Sequence, residues 1–235
     1  MSPRFGVPRR HLRVTDSTND RARALVKAGA PSGTVVTAAE QTAGRGRSGR
    51  GWSAPAGSAL LATAILRPLT EHHRLLPLAV PLAVCEAIEG LAPVRCAVKW
   101  PNDVWIEERK VSGVLIEARP PEWAVIGVGV NVSLADGAFP DDLRWPATSV
   151  GHGVEVGRML TELCERLATW VEAEPKEILT GFRERDALRG RAVDWDGGAG
   201  VAAGIDDDGD LVVESNEGGQ VRLGAGEVRL RVERP

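Results

Sequence analysis

Hydrophobic residues along the chain change their spacing several times, and each change marks an element. Apolar and polar residues alternate over 10–14, which predicts a short strand. Asp16-Ser17-Thr18-Asn19 then offers side-chain oxygens to the start of a helix whose Ala22, Leu25 and Val26 share one face, and Gly29 would end it. Residues 34–39 and 59–66 are β-rich runs on either side of a glycine- and arginine-rich stretch over 44–51. Residues 74–91 are mostly apolar at helical spacing and are interrupted by Pro77 and Pro81, so a buried helix starts near or between the prolines.

Strands dominate the next part. Residues 94–98, 104–107, 111–118 and 123–130 are short β-branched runs separated by turn residues, most plainly a hairpin turning over 107–110. A long amphipathic helix follows, with Met159, Leu160, Leu163, Leu167, Trp170 and Val171 along one stripe. After Arg189 the chain turns to glycine, aspartate and valine in short segments at 192–193, 201–205, 211–213, 221–223 and 228–232, with hairpin turns at 206–209 and 216–219. These segments predict a small β-barrel of about 45 residues, a size at which it packs on the main domain rather than standing alone. The expected division is 1–187 for the main domain and 188–235 for the barrel.

Bulk properties narrow the function by exclusion. The 235 residues suffice for a large core without staples. The three cysteines, Cys85, Cys96 and Cys164, are spaced 11 and 68 apart, which fits neither a zinc site nor a disulfide scaffold. The basic N-terminal segment carries no apolar stretch of signal-peptide length, and no run elsewhere is long enough to cross a membrane, so a cytoplasmic protein is expected. Net charge is −3 with both signs interspersed, so any cationic function is local.

The most informative local stretch is Gln41-Thr42-Ala43-Gly44-Arg45-Gly46-Arg47-Ser48-Gly49-Arg50-Gly51-Trp52. Gly44, Gly46 and Gly49 match the G-x-G-x-x-G dinucleotide pattern, but Gly51, Pro55 and Gly57 forbid the helix that such a site needs after its third glycine. No Walker lysine is supplied either. Arginines on a glycine loop suit neutralisation of a phosphate or carboxylate approached closely by backbone. A solvated basic turn, or an unspecific RNA-binding stretch, remains open on composition alone.

Lys99-Trp100-Pro101-Asn102-Asp103 reads equally as an ordinary turn or as a nucleotide and magnesium contact, with an aromatic beside a lysine and a carboxylate. Lys110 stands at the mouth of an apolar strand, either as a gatekeeper charge or as a cation bridging two reacting anions. In 127–132 glycine alternates with valine, so one face of that strand carries no side chains and admits a flat ligand or another backbone.

Ser17-Thr18-Asn19, 41–52, 99–103, 110–117 and 127–132 stand in the order and spacing of the biotin protein ligase family, and the chain resembles that family over essentially its whole length. The resemblance implies an α+β fold: a mixed β-sheet with helices packed on one face, similar to class II aminoacyl-tRNA synthetases, followed by a small C-terminal SH3-like β-barrel. It implies that Ser17, Thr18, Asn19 and Gln41 hydrogen-bond the ureido ring of biotin, that Arg45, Gly46 and Arg47 fold over its carboxylate and the phosphate, and that Gly113 lies alongside. Lys110 would touch the biotin carboxylate and the α-phosphate, making Lys110 and Arg47 the catalytic pair. Arg50, Trp52, Asn102 and Asn131 would meet ATP, and Asp103 is the expected carboxylate near Mg2+.

The implied reaction has two steps. The biotin carboxylate attacks the α-phosphorus of ATP and expels pyrophosphate, giving biotinyl-5'-AMP; a lysine of a biotin carboxyl carrier protein domain then attacks the activated carbonyl and AMP leaves. Two anions must meet, so cations and backbone N–H groups are the catalytic resource, and no protein nucleophile is needed. Some members carry a DNA-binding helix-turn-helix domain, but here only about ten residues precede the first strand, so no repressor role is expected. The oligomer is expected to be a monomer or homodimer. Ala59-Leu60-Leu61-Ala62-Thr63 departs from the family pattern in detail, which leaves its part in the biotin pocket open.

Two other readings compete. A lipoate or octanoate ligase of related fold would want a long apolar slot in place of groups for a ureido ring. A nucleic-acid binding module would use Arg45, Arg47 and Arg50 on a polyanion.

Overall fold

A computed structural model describes residues 4–139, 143, 145–224 and 228–230. In chain order its elements are β1 (Arg9–Thr15), α1 (Thr18–Lys27), β2 (Val35–Gln41), β3 (Ala59–Leu66), α2 (Leu76–Glu89), β4 (Cys96–Lys99), β5 (Asp103–Ile106), β6 (Arg109–Arg119), β7 (Trp123–Asn131), α3 (Val156–Trp170) and α4 (Pro175–Arg185). The C-terminal part adds β8 (Ala192–Trp195), β9 (Gly198–Ile205), β10 (Leu211–Ser215), β11 (Gln220–Leu223) and β12 (Arg229–Leu230).

The first seven strands form one mixed sheet in the order β1-β2-β3-β7-β6-β5-β4. Only β1 and β2 run parallel, joined through α1 as a parallel pair requires; the other neighbours are antiparallel. Strand alternation then divides the side chains between two faces. Leu60, Ala62, Ala64 and Leu66 of β3 and Ala124, Ile126, Val128 and Val130 of β7 enter the main core with α2, α3 and α4. Ile65 and Val125 point the other way and meet Ala22 and Val26 of α1. The expectation of helices on one face is therefore corrected: α1, the crossover between parallel strands, covers part of the opposite face. Its apolar stripe is short, and the rest of that face is left for the site.

Helix α4 has no counterpart among the predicted elements. Pro175 opens it, the Glu177 side chain accepts the Glu174 N–H at 3.0 Å, and Ile178, Leu179 and Phe182 are buried. Its apolar residues are too few to stand out beside the long stripe of α3. Pro77 and Pro81 both fall inside α2, the first near its start. The β5–β6 hairpin turns on Glu107 and Glu108, at φ of 48° and 60°, the left-handed pair of a tight two-residue turn.

The last five strands form a second, antiparallel sheet in the order β11-β10-β9-β8-β12. Val193, Ala202, Leu211 and Val213 join the core under α2, so this sheet is packed on the main body. Arg183–Asp207 at 2.8 Å and Arg191–Glu108 at 2.7 Å add ion pairs across the seam. Among the described residues the sheet is open, with β11 and β12 at its edges, and a closed barrel is not seen. No helix among them is long and apolar enough to cross a membrane.

Candidate functional site

The uncovered part of the sheet face begins at the first turn of α1. Asp16 Oδ1 accepts the Ser17 N–H at 2.7 Å and the Thr15 hydroxyl at 2.9 Å, and Oδ2 pairs with Arg21 at 2.8 Å. That backbone hydrogen bond, then the Thr15 hydroxyl and Arg21, hold the Asp16 carboxyl below the usual range against a small burial effect. Thr18 donates from its N–H and its hydroxyl to Gln41 Oε1, at 2.7 and 3.0 Å. Asn19 Nδ2 donates to Glu117 Oε2 at 2.8 Å and Leu115 O at 3.3 Å. The Thr63 hydroxyl, wholly buried, lies 2.7 Å from Asn19 Oδ1 and 2.8 Å from the Thr18 hydroxyl, with one proton to give. Five side chains (Thr18, Asn19, Gln41, Thr63 and Glu117) and the Leu115 carbonyl thus fix one another in a half-buried polar network.

Glycines on β6 and β7 make this arrangement possible. A Cβ at Gly127 would stand 2.2 Å from Asn19 Oδ1, and one at Gly129 2.6 Å from the indole of Trp52. The strand that alternates glycine with valine therefore receives Asn19 and Trp52 on its bare face. A Cβ at Gly113 would lie 3.1 Å from the Trp52 ring and 3.2 Å from Lys110 Nζ. Lys110 Nζ sits 2.6 Å from Asp103 Oδ1 and 5.7 Å from the Trp52 ring centroid, with cation–π geometry. The Trp52 indole N–H is buried without a partner among the described residues.

The arginine loop is pinched into a small hairpin by Trp52 N–H to Gly44 O at 2.9 Å and Gly46 N–H to Arg50 O at 2.6 Å. Its tip is a single 3-10 turn over Arg47–Gly49 with Ser48 at φ 54°; no long helix follows, so the dinucleotide pattern is indeed a coincidence of glycine spacing. Arg45 turns towards α1 and pairs with Asp20 at 2.8 Å and Glu117 at 3.3 Å, while Arg23 pairs with the same two carboxylates. Between this loop and β6 lies a cavity of about 840 Å3, lined by 43–51, Asn102, Pro77 and 114–117.

The structure brings Ser17, Thr18, Asn19, Gln41, Trp52, Asp103, Lys110 and Gly113 to one sheet face, with Arg45, Gly46, Arg47 and Arg50 on the loop over the cavity. Asn102 lines that cavity and donates from Nδ2 to Val114 O at 2.8 Å. Asn131 is buried and donates to Thr148 O at 3.0 Å. Of the two readings open for the 99–103 turn, Trp100 and Lys99 take the structural one. Trp100 is buried in the core and donates to Gly209 O at 3.1 Å, and Lys99 Nζ donates to Val228 O at 2.9 Å, so both are tied to connections of the C-terminal part. Asp103, the β5 partner of Lys99 in the β4–β5 register, keeps its carboxylate on Lys110. Thr63, Asp20 and Glu117 were missed as site residues; the polar Thr63 inside the otherwise apolar run 59–66 was the available signal.

This sheet face carries a network of hydroxyl and amide groups at one end and Lys110 with the arginine loop at the other. The model of the biotin/lipoate A/B protein ligase family matches residues 11–131. A biotin--[acetyl-CoA-carboxylase] ligase from Paracoccus denitrificans is 37% identical, over 89% of this chain and 95% of that protein. The corresponding ligase from Mycobacterium tuberculosis is 35% identical, over 91% of this chain and 85% of its own length. The solved biotin protein ligase from Aquifex aeolicus in complex with biotin and ATP superposes with a TM-score of 0.77 at 30% identity, covering 95% of this chain and 98% of that one. The chain belongs to the biotin/lipoate A/B protein ligase family.

Proposed function

We propose that this protein is a biotin protein ligase that activates biotin with ATP to biotinyl-5'-AMP and passes biotin to a lysine of a biotin carboxyl carrier protein domain. The observation that carries the reading is the hydrogen-bonded cluster of Thr18, Asn19, Gln41 and Thr63, which lies on the same sheet face as the Lys110–Asp103 pair. Hydroxyls and amides suit the donors and acceptors of a ureido ring, whereas a lipoyl dithiolane offers them nothing and would leave them unpaired.

In this reading Ser17, Thr18, Asn19 and Gln41 hold the ring, and Arg45, Gly46, Arg47 and Gly113 line the path to the carboxylate. Lys110 lies between the carboxylate and the α-phosphate and, with Arg47, neutralises the charge that grows as a carboxylate oxygen attacks phosphorus and pyrophosphate departs. Arg50, Trp52, Asn102 and Asn131 serve ATP. The amine of the carrier lysine then attacks the carbonyl of the mixed anhydride, loses a proton and releases AMP. The loop shields the anhydride from water in the interval, a role its glycines permit.

Magnesium enters as part of the nucleotide substrate. Among the described residues no group of three His, Cys, Asp or Glu is gathered for a metal, and none is required for an ion held mainly by phosphates with one or two carboxylates. Asp103 is the carboxylate we assign to it. We further assign 1–187 to the catalytic domain and 188–235 to an SH3-like domain built on the second sheet. The buried free thiols suit a reducing, cytoplasmic setting.

Calorimetric titration with biotin and with lipoate tests the pocket. Binding of biotin alone is the expected result; binding of lipoate alone would move the protein to the other branch of its family.

A further inference from the structure

The segment 145–151 does not belong to any strand, yet it holds Lys110 by the backbone on both sides. The Lys110 N–H donates to Pro146 O at 2.8 Å, and the Thr148 N–H donates to Lys110 O at 2.9 Å, giving a parallel bridge between Lys110 and Ala147. The reason lies in the sheet. β7 pairs with β6 only from Ser112 onward, and β5 slips register between Val104 and Trp105, so the start of β6 lacks a β7 neighbour. The segment occupies that vacant line. Farther along it is tied to the end of β7, where Asn131 Nδ2 donates to Thr148 O at 3.0 Å and Val150 N–H to Asn131 O at 2.9 Å.

One residue bolts this strap to the β5–β6 hairpin. The Trp145 ring stacks on Trp105 at 5.1 Å between centroids and 8° between planes, and its indole N–H donates to Glu108 O at 2.8 Å. Trp105 is itself buried and faces Lys110 in the β5–β6 register. Lys110 and Asn131, 21 residues apart, are thus held by one short segment whose near end is fixed by a ring stack.

We propose that Trp145 is a positioning residue for the adenylation step: by clamping the strap it sets the backbone of Lys110, and through Thr148 the side chain of Asn131. The proposal rests on the biotin ligase reading for its catalytic consequence, but its structural half does not. It touches none of the groups in the Thr18, Asn19, Gln41 and Thr63 pocket.

The test compares wild type, Trp145→Ala and Trp145→Phe by single-turnover biotinyl-adenylate formation at saturating biotin and Mg-ATP, by biotin titration, and by amide hydrogen exchange. Trp145→Ala is expected to slow adenylation by roughly tenfold to a hundredfold, the scale of small misplacements in a reacting site, with the biotin dissociation constant unchanged. Trp145→Phe keeps a stacking ring and is expected to recover most of that rate. The Lys110 and Thr148 amides should exchange faster in Trp145→Ala, and the Ile126 amide in central β7 should not. In Trp145→Ala, unchanged Lys110 exchange, or faster exchange with an unchanged adenylation rate, overturns the proposal. If Trp145→Ala does not fold, Trp145→Phe decides: it lacks the N–H that Glu108 O accepts, so its Lys110 and Thr148 amides must exchange faster than in wild type, and equal exchange overturns the clamp. Wild type that makes no adenylate from biotin would defeat the ligase reading instead, and the exchange comparison would still decide the strap.

Discussion

Lys110 Nζ and Asp103 Oδ1 stand 2.6 Å apart on neighbouring strands that are out of step at that point. Asp103 pairs in register with Gly113, three positions past Lys110, and the missing Gly113 side chain is the space through which the lysine reaches back. The half-buried ammonium is thereby held over the sheet face, and the Trp52 ring flanks it.

Removing that ammonium tests its place in the chemistry. Lys110→Ala is expected to lower single-turnover adenylation by about a hundredfold or more while far-UV circular dichroism stays that of the wild type, because two anions would have to meet with one cation fewer. An unchanged rate takes Lys110 out of the mechanism.

Thr63 supplies the hydroxyl between Asn19 Oδ1 and Thr18 from a fully buried position. Thr63→Val keeps the shape and removes the donor, so it should cost about 1–3 kcal/mol in denaturant unfolding and weaken biotin binding. A variant as stable as wild type with unaltered biotin affinity would mean that the network is unimportant.

Gly129 is bare because the Trp52 indole occupies its side of the sheet, 2.6 Å from where a Cβ would be. The wall is strand backbone and cannot retreat, so Gly129→Ala must displace Trp52. We expect the KM for ATP to rise severalfold with biotin affinity little changed. The reverse pattern would place Trp52 on the biotin side.

Acid stability should depend on a pair far from the site. Arg185 forks onto Glu89 at 2.6 and 2.8 Å, joining α4 to the end of α2. Burial pushes the Glu89 carboxyl up, but the Arg185 hydrogen bonds, the Cys96 N–H and the Arg185 charge outweigh it, and its pKa is lowered. A lowered carboxylate pKa stabilises the fold at pH above the unfolded value of about 4.3, and that stabilisation is lost as pH falls through the folded value. Glu89→Gln should therefore be less stable than wild type by about 1–2 kcal/mol at pH 7, with the difference shrinking below about pH 4. A gap that persists unchanged into acid would assign the loss to packing.

Much of this fold was legible because strand alternation and helix stripes are local. The limits of β3, the bare face of β7 and the hairpin at Glu107 and Glu108 follow from residues adjacent in sequence. What escaped depends on partners distant in sequence. Trp100 reads as a ligand-facing aromatic until Gly209 arrives beneath it. Glu117 has no reading of its own in the 110–117 run, because Asn19, Arg23 and Arg45 converge on it from other elements. Helix α1 was expected on the same side as the others, since sequence spacing says which stripe of a helix is apolar and not which face of the sheet it covers.

The most direct test of the central claim is to mix the protein with Mg-ATP and either biotin or lipoate, without any carrier, and to measure pyrophosphate release and the acyl-adenylate formed. The account predicts an adenylate that depends on biotin. An adenylate formed only from lipoate, or none from either acid, would contradict it.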